Sequence, residues 1–276
     1  MTAAASLRRN GLGVLGLAIA GLALLAAIAA PVLAPHDPVK GDFSQGLKPP
    51  GTPGHLLGTD QLGRDTLSRV LYGARVALFI GVCTVLLTAI VGGILGLLAG
   101  FFGGWPGQAL MRLCDVQLSF PFILLALTIN AIVGLGLRNI IVSLAAAGWV
   151  VYARVVRGEV LSVKQRDYVQ AAAALGTGRA RILFRHVLPN VAPSIIIVAS
   201  LQFSQFIVAE AAISFLGFGI QPPTPAWGSM LSESRDFLYI AWWLAAFPGA
   251  ALALTALGVN LVGDWLRDVL DPKFRV

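Results

Sequence analysis

Residues 10–34 run for 25 positions without a charged side chain, and similar apolar stretches recur along the chain. A bilayer core of about 30 Å is crossed by a helix of roughly 18 or more such residues. Largely uncharged runs mark six spans, at about 11–34, 76–101, 117–137, 139–157, 191–217 and 238–263. Only 12% of the residues are charged, against about 25% in soluble domains, and 57% are hydrophobic. With six spans in 276 residues, no large soluble domain fits. The chain divides into residues 1–75, an N-terminal span with an extracytoplasmic loop, and 76–276, a five-helix core interrupted by a cytoplasmic loop at 158–190.

An even number of spans places both termini on one side of the membrane. Thirteen of the twenty Lys and Arg residues then share that side, counting Arg154 and Arg157 at the end of the fourth span, where long side chains snorkel to the interface. This asymmetry makes the shared side cytoplasmic. It also accounts for the net charge of +7 without a nucleic-acid partner. The first run follows Arg8 and Arg9 like a signal peptide, but it is longer than the usual apolar core and contains Pro31, so it reads as a retained span. Cys83 and Cys114 lie in or beside apolar runs without CxxC spacing, and His36, His55 and His186 are scattered. No metal site is expected.

Glycines at 92, 96 and 100 recur every fourth residue on the second span. Small residues at that spacing allow two helices to approach closely in lipid, so these predict a packing face. The run Gly103-Gly-Trp-Pro-Gly107 then ends the helix. Residues 35–75 are rich in Pro and Gly and lead from turn formers into an amphipathic helix near 66–75. Residues 218–237 hold Gln221-Pro-Pro-Thr-Pro-Ala-Trp-Gly228, too proline-dense for a helix. Each is either a connector or an extracytoplasmic gate or receptor contact.

The stretch from Asp167 to Asn190 is a basic, partly amphipathic insert between long uncharged segments. Asp167 to Leu175 favours a helix through four consecutive alanines. Gly176 and Gly178 permit a sharp exit, and Arg179, Arg181 and Arg185 then interleave with Ile182, Leu183 and Phe184. Pro189 is expected to stop the segment. Such a short helix is marginal alone in water, and its thin alanine face suits a groove in a partner protein better than a lipid surface.

Gln170-Ala171-Ala172, Gly176 and Leu188-Pro189 stand in register with the "EAA" docking loop of permeases in ATP-binding cassette importers. Gln170 replaces the glutamate of that pattern, and His186 takes its isoleucine position. Four further segments are similar to the second permease of the dipeptide, oligopeptide and nickel branch: Leu57-Gly-Thr-Asp-Gln-Leu-Gly-Arg-Asp65, Leu110-Met-Arg-Leu-Cys-Asp115, Ser214-Phe-Leu-Gly-Phe-Gly-Ile-Gln-Pro-Pro223 and Gly263-Asp-Trp-Leu-Arg-Asp-Val-Leu-Asp-Pro272. Gly107 stands where the family often has aspartate. The resemblance implies an all-α polytopic membrane protein of the type I importer permease fold, in a bacterial inner membrane. It implies a second permease, two cytoplasmic ATPases and an extracytoplasmic binding protein as partners. ATP and Mg²⁺ belong to the ATPases, since no Walker A motif occurs in this chain. The residues implied in ATPase coupling are Tyr168, Gln170, Ala171, Ala172, Gly176, Arg179, Arg181, Arg185, Leu188 and Pro189, with helix 168–175 as the coupling helix. The cargo implied is di- and oligopeptides, with nickel chelates or glutathione as alternatives.

Glu210 is the one acidic residue deep in a span, which marks it as functional. At 100° per residue it shares an arc of about 140° with Gln202 and Gln205, a candidate lining for the translocation path. A secondary transporter is the rival class, but the inverted repeats typical of one are not evident.

Overall fold

The computed structural model describes residues 11–270. Nine α-helices make up most of it: α1 Gly11–Leu33, α2 Thr66–Phe102, α3 Gly104–Leu118, α4 Phe122–Val133, α5 Leu137–Lys164, α6 Asp167–Ala174, α7 Arg179–Phe215, α8 Trp227–Glu233 and α9 Trp243–Leu270. Five of them are long and apolar enough to cross a membrane.

The third span departs from expectation. Instead of one helix over 117–137, α3 and α4 meet at a 93° bend. Pro121 lacks an N–H and closes off helix continuation from α3, while Ser119 Oγ donates to the Val116 carbonyl at 2.6 Å. Counted as one broken span, the pair brings the total to six.

At the packed centre, α2 crosses α5. A Cβ at Gly92 would meet the Trp149 carbonyl, one at Gly96 would lie 3.0 Å from Ala153 Cα, and one at Gly100 would lie 2.8 Å from Val160 Cβ. The four-residue glycine spacing is therefore a packing face, as the sequence indicates. Around this crossing Ile80, Leu144, Phe206 and Ile213 are buried between α2, α5 and α7. On the outside, α1 rests on α9 through Gly16 and Gly258, whose Cβ atoms would strike Leu261 and Ile19 respectively.

No break separates the amphipathic segment from the second span: α2 begins at Thr66, capped by Asp65, and runs unbroken across residue 75. It ends at Phe102, with Gly103 at φ +64. Residues 221–226 carry the prolines and stay outside helices, while the following residues form α8. The 35–65 loop and the 218–237 loop fold together. Arg64 Nη2 donates to Glu233 Oε2 on α8 at 2.8 Å, and Arg69 Nη2 is ion-paired with the same oxygen at 3.0 Å. Arg64 Nε also pairs with Asp60 at 2.6 Å, and Arg69 Nη1 with the same oxygen. Trp227 Nε1 donates to the Val70 carbonyl and Trp243 Nε1 to that of Thr59.

Candidate functional site: a coupling surface and a cavity

Helix α6 projects from the end of α5. Its length is limited on one side by the turn at Gln165 and Arg166 and on the other by Gly176, at φ +79. Gly176 N–H donates to the Ala173 carbonyl and Thr177 N–H to that of Ala172, both at 3.0 Å. This glycine-terminated double closure satisfies orphan carbonyls at the helix end. The sharp exit expected at Gly176 is thus a left-handed backbone position that L side chains rarely adopt.

The helix is held by one face. Val169 is buried against Val160, Val163, Ile182, Leu183 and Val187. Lys164 Nζ donates to the Phe101 carbonyl at 2.6 Å, tying the root of α6 to the end of α2. Between these elements lies a crevice of about 370 Å³ lined by Phe101, Phe102, Lys164, Val169, Gln170, Ala173, Arg179 and Ile182.

The opposite face is open. Gln170, Ala171, Gly176, Arg179, Arg181, Arg185 and Pro189 are exposed, and Tyr168 is 44% exposed; Ala172 and Leu188 are partly covered. Sequence reasoning missed Leu175 at 86% exposure and Phe184 at 63%, which add apolar area to this basic surface. Large apolar side chains left in water beside polar ones mark a contact surface. Gln170 donates to the Gln165 carbonyl at 3.3 Å, closing its own turn.

Pro189 does not stop the segment. Helix α7 runs continuously from Arg179 to Phe215, and residues Ile182–Val187 form a π-helical turn directly before the proline. The widened turn relieves the clash of a proline ring with the preceding carbonyls. A basic stub and the fifth span are thereby one rod.

The three polar residues of the fifth span do not share a surface. Gln205 lines a cavity of about 600 Å³ with Ser204, Leu201, Val208 and Asn260. Gln202 and Glu210 are buried. Ser214 Oγ lies 2.6 Å from Glu210 Oε1 and donates to it, while accepting Ile220 N–H at 3.1 Å. Glu210 therefore pins the turn after α7 rather than facing the cavity. The 140° arc was too wide to share one surface in a helix packed on both sides by α2 and α5. Asn260 and Ser204, which hydrogen-bond to each other, take the place beside Gln205.

The histidines also depart from expectation. His36 and His55, remote in sequence, stack with ring centroids 4.7 Å apart beside Asp65. The fold of the 35–65 loop, which linear spacing does not reveal, brings them together.

A bent third span, an exposed helix between two spans and a largely apolar cavity with a few polar groups along α7 fit a transport permease. Residues 92–276 match the family model of the binding-protein-dependent transport system inner membrane component, and residues 2–50 match the N-terminal TM domain of oligopeptide transport permease C. The chain belongs to this family of pore-forming permease subunits of ABC transporters, which are not themselves catalytic. It is 44% identical over 265 residues to a di/tripeptide transport system permease of Pseudomonas aeruginosa, covering 94% of this chain and 88% of that one. A glutathione transport system permease of Pectobacterium atrosepticum is 46% identical over 221 residues, covering 80% and 73%. A probable D,D-dipeptide permease of Escherichia coli is 40% identical over 267 residues, covering 97% and 89%. As family membership implies, the chain is a multi-pass membrane protein that works within a transporter complex.

Proposed function

We propose that this chain is one of two permeases of an ATP-driven importer of di- and oligopeptides in a bacterial inner membrane. Its partners are a second, homologous permease, two cytoplasmic ATPases that bind ATP and Mg²⁺, and an extracytoplasmic binding protein. Both termini and α6 lie in the cytoplasm, where the excess of Lys and Arg falls. The observation that carries the reading is α6 itself: a helix of eight residues anchored by Val169, ended by Gly176, and flanked by exposed Leu175 and Phe184. Docked in an ATPase groove, it buries that apolar area and couples ATPase closure to α5 and α7. Since α7 is continuous from Arg179, movement at the cytoplasmic stub reaches the cavity beside Gln205 as a rigid-body shift.

Peptides are favoured by the named relatives, and a cavity mixing Gln205, Ser204 and Asn260 with apolar walls suits a polar backbone with varied side chains. Glutathione is the second reading, favoured by the relative named for it. The test has two parts. Co-purification from membranes recovers stoichiometric ATPases with the native chain and loses them when residues 168–189 are scrambled. ATPase activity of the reconstituted complex with its binding protein, assayed against peptides, glutathione and nickel chelates, rises most with peptides. Unaided solute movement by the purified chain, without nucleotide, refutes the proposal.

A further inference from the structure

The extracytoplasmic layer contains a cluster that the transport reading does not use. His36 follows α1, His55 lies in the loop beyond, and Asp65 caps α2, so three separated segments meet at one carboxylate. Asp65 is buried and well oriented. Its Oδ2 accepts Ser68 N–H at 2.8 Å and Ser68 Oγ–H at 2.7 Å. That leaves Oδ1 facing the imidazoles, 3.0 Å from His55 Nδ1 and 3.9 Å from His36 Nδ1. The backbone N–H of His36 is itself tied to Ser68 Oγ at 3.2 Å.

The charge arrangement of this layer separates Asp65 from its neighbours. Asp60 and Glu233 are both paired with Arg64 and Arg69. Asp65 has no guanidinium or ammonium partner among the described residues, although its side chain is fully buried. A buried carboxylate is costly without a compensating cation. Here the groups facing it are two imidazole nitrogens, donors suited to zinc-class metals.

We propose that His36 Nδ1, His55 Nδ1 and Asp65 Oδ1 bind one divalent transition-metal ion of the zinc class. One ligand atom from each of the three residues lies within 4.8 Å of the others. Donors around such an ion, at roughly 2.0–2.2 Å from it, stand about 3.3–3.5 Å apart. His55 and Asp65 are near that separation already, and a small swing of the half-exposed His36 ring completes the set. The Ser68 bonds hold the carboxylate in the orientation that ligands of this kind need. Three protein donors leave a position for water. The ion clips the segment after α1 and the 50s loop to the start of α2.

The test uses the tag-free full chain in detergent, stripped with chelator and titrated with Zn²⁺ against a competing chromophoric chelator. Co²⁺ absorption then reports the coordination. One equivalent is expected, with at least a tenfold weaker Kd in both His36→Ala and His55→Ala, and with the cobalt band lost in each. Because His36 is 42% exposed, its variant retains the fold even where His55→Ala does not, and it then carries the test alone. No uptake by the native chain overturns the proposal, as does an affinity unchanged in either folded variant. Neither outcome bears on ATPase coupling through α6.

Discussion

Replacing Gly92 with Ala adds one methyl group to α2 at its crossing with α5. That Cβ would meet the Trp149 carbonyl and lie 2.8 Å from Tyr152 Cβ. At Gly96 the obstacles are the Ala153 carbonyl at 2.5 Å and its Cα at 3.0 Å. These are backbone atoms of a buried helix, so no side chain can swing away and the two rods must separate. Overpacking of this kind costs typically about 1–3 kcal/mol, partly offset by about 0.8–1.0 kcal/mol of helix propensity gained over glycine. Gly93 supplies the control. It is buried on the same helix, yet its added methyl meets only Ile195 Cδ1 at 3.8 Å, an ordinary contact. Gly92→Ala and Gly96→Ala are therefore expected to destabilise by up to about 2 kcal/mol, while Gly93→Ala is neutral or stabilising by up to about 1 kcal/mol. Unfolding of the purified chain in mixed detergent–SDS micelles measures all three. Equal losses at Gly92 and Gly93 would refute close helix approach as the reason for these glycines.

Two further expectations follow from the polar groups. Asp60→Ala leaves Arg64 and Arg69 sharing only Glu233 in a buried site, which costs about 3–5 kcal/mol and lowers Tm sharply; an unchanged Tm would show that the network contributes nothing. Glu210→Gln keeps a group able to bond Ser214 away from the cavity, so transport rate and cargo range stay unchanged, whereas Gln205→Leu in the cavity wall alters cargo preference in the reconstituted transport assay. The reverse ranking would return Glu210 to the path.

Much of this architecture was legible in the chain because lipid imposes simple rules. Charge-free length marked five spans well, and the glycine repeat at 92, 96 and 100 marked a close helix contact, since small residues matter most where no water drives association. Gly176 announced the end of α6 because few other residues tolerate its φ of +79. The third span was misjudged because hydropathy averages over a window and does not register the 93° turn at Pro121. Pro189 was read as a stop because the local rule ignores neighbouring packing; the π turn at Ile182–Val187, with Ile182, Leu183 and Val187 buried, lets the helix continue. Glu210, Gln202 and Gln205 fell on one broad arc, but only contacts with α2 and α5 decide which part of an arc is covered.

Number of spans and membership of a transport family were set by one-dimensional properties: length without charge and ordered motifs. Which polar groups meet was a three-dimensional outcome. The cavity beside Gln205, the burial of Glu210 and the meeting of His36 and His55 at Asp65 depend on segments separated by tens of residues. Side chains acquire such neighbours through packing, and periodicity along one helix specifies a direction without specifying what lies there.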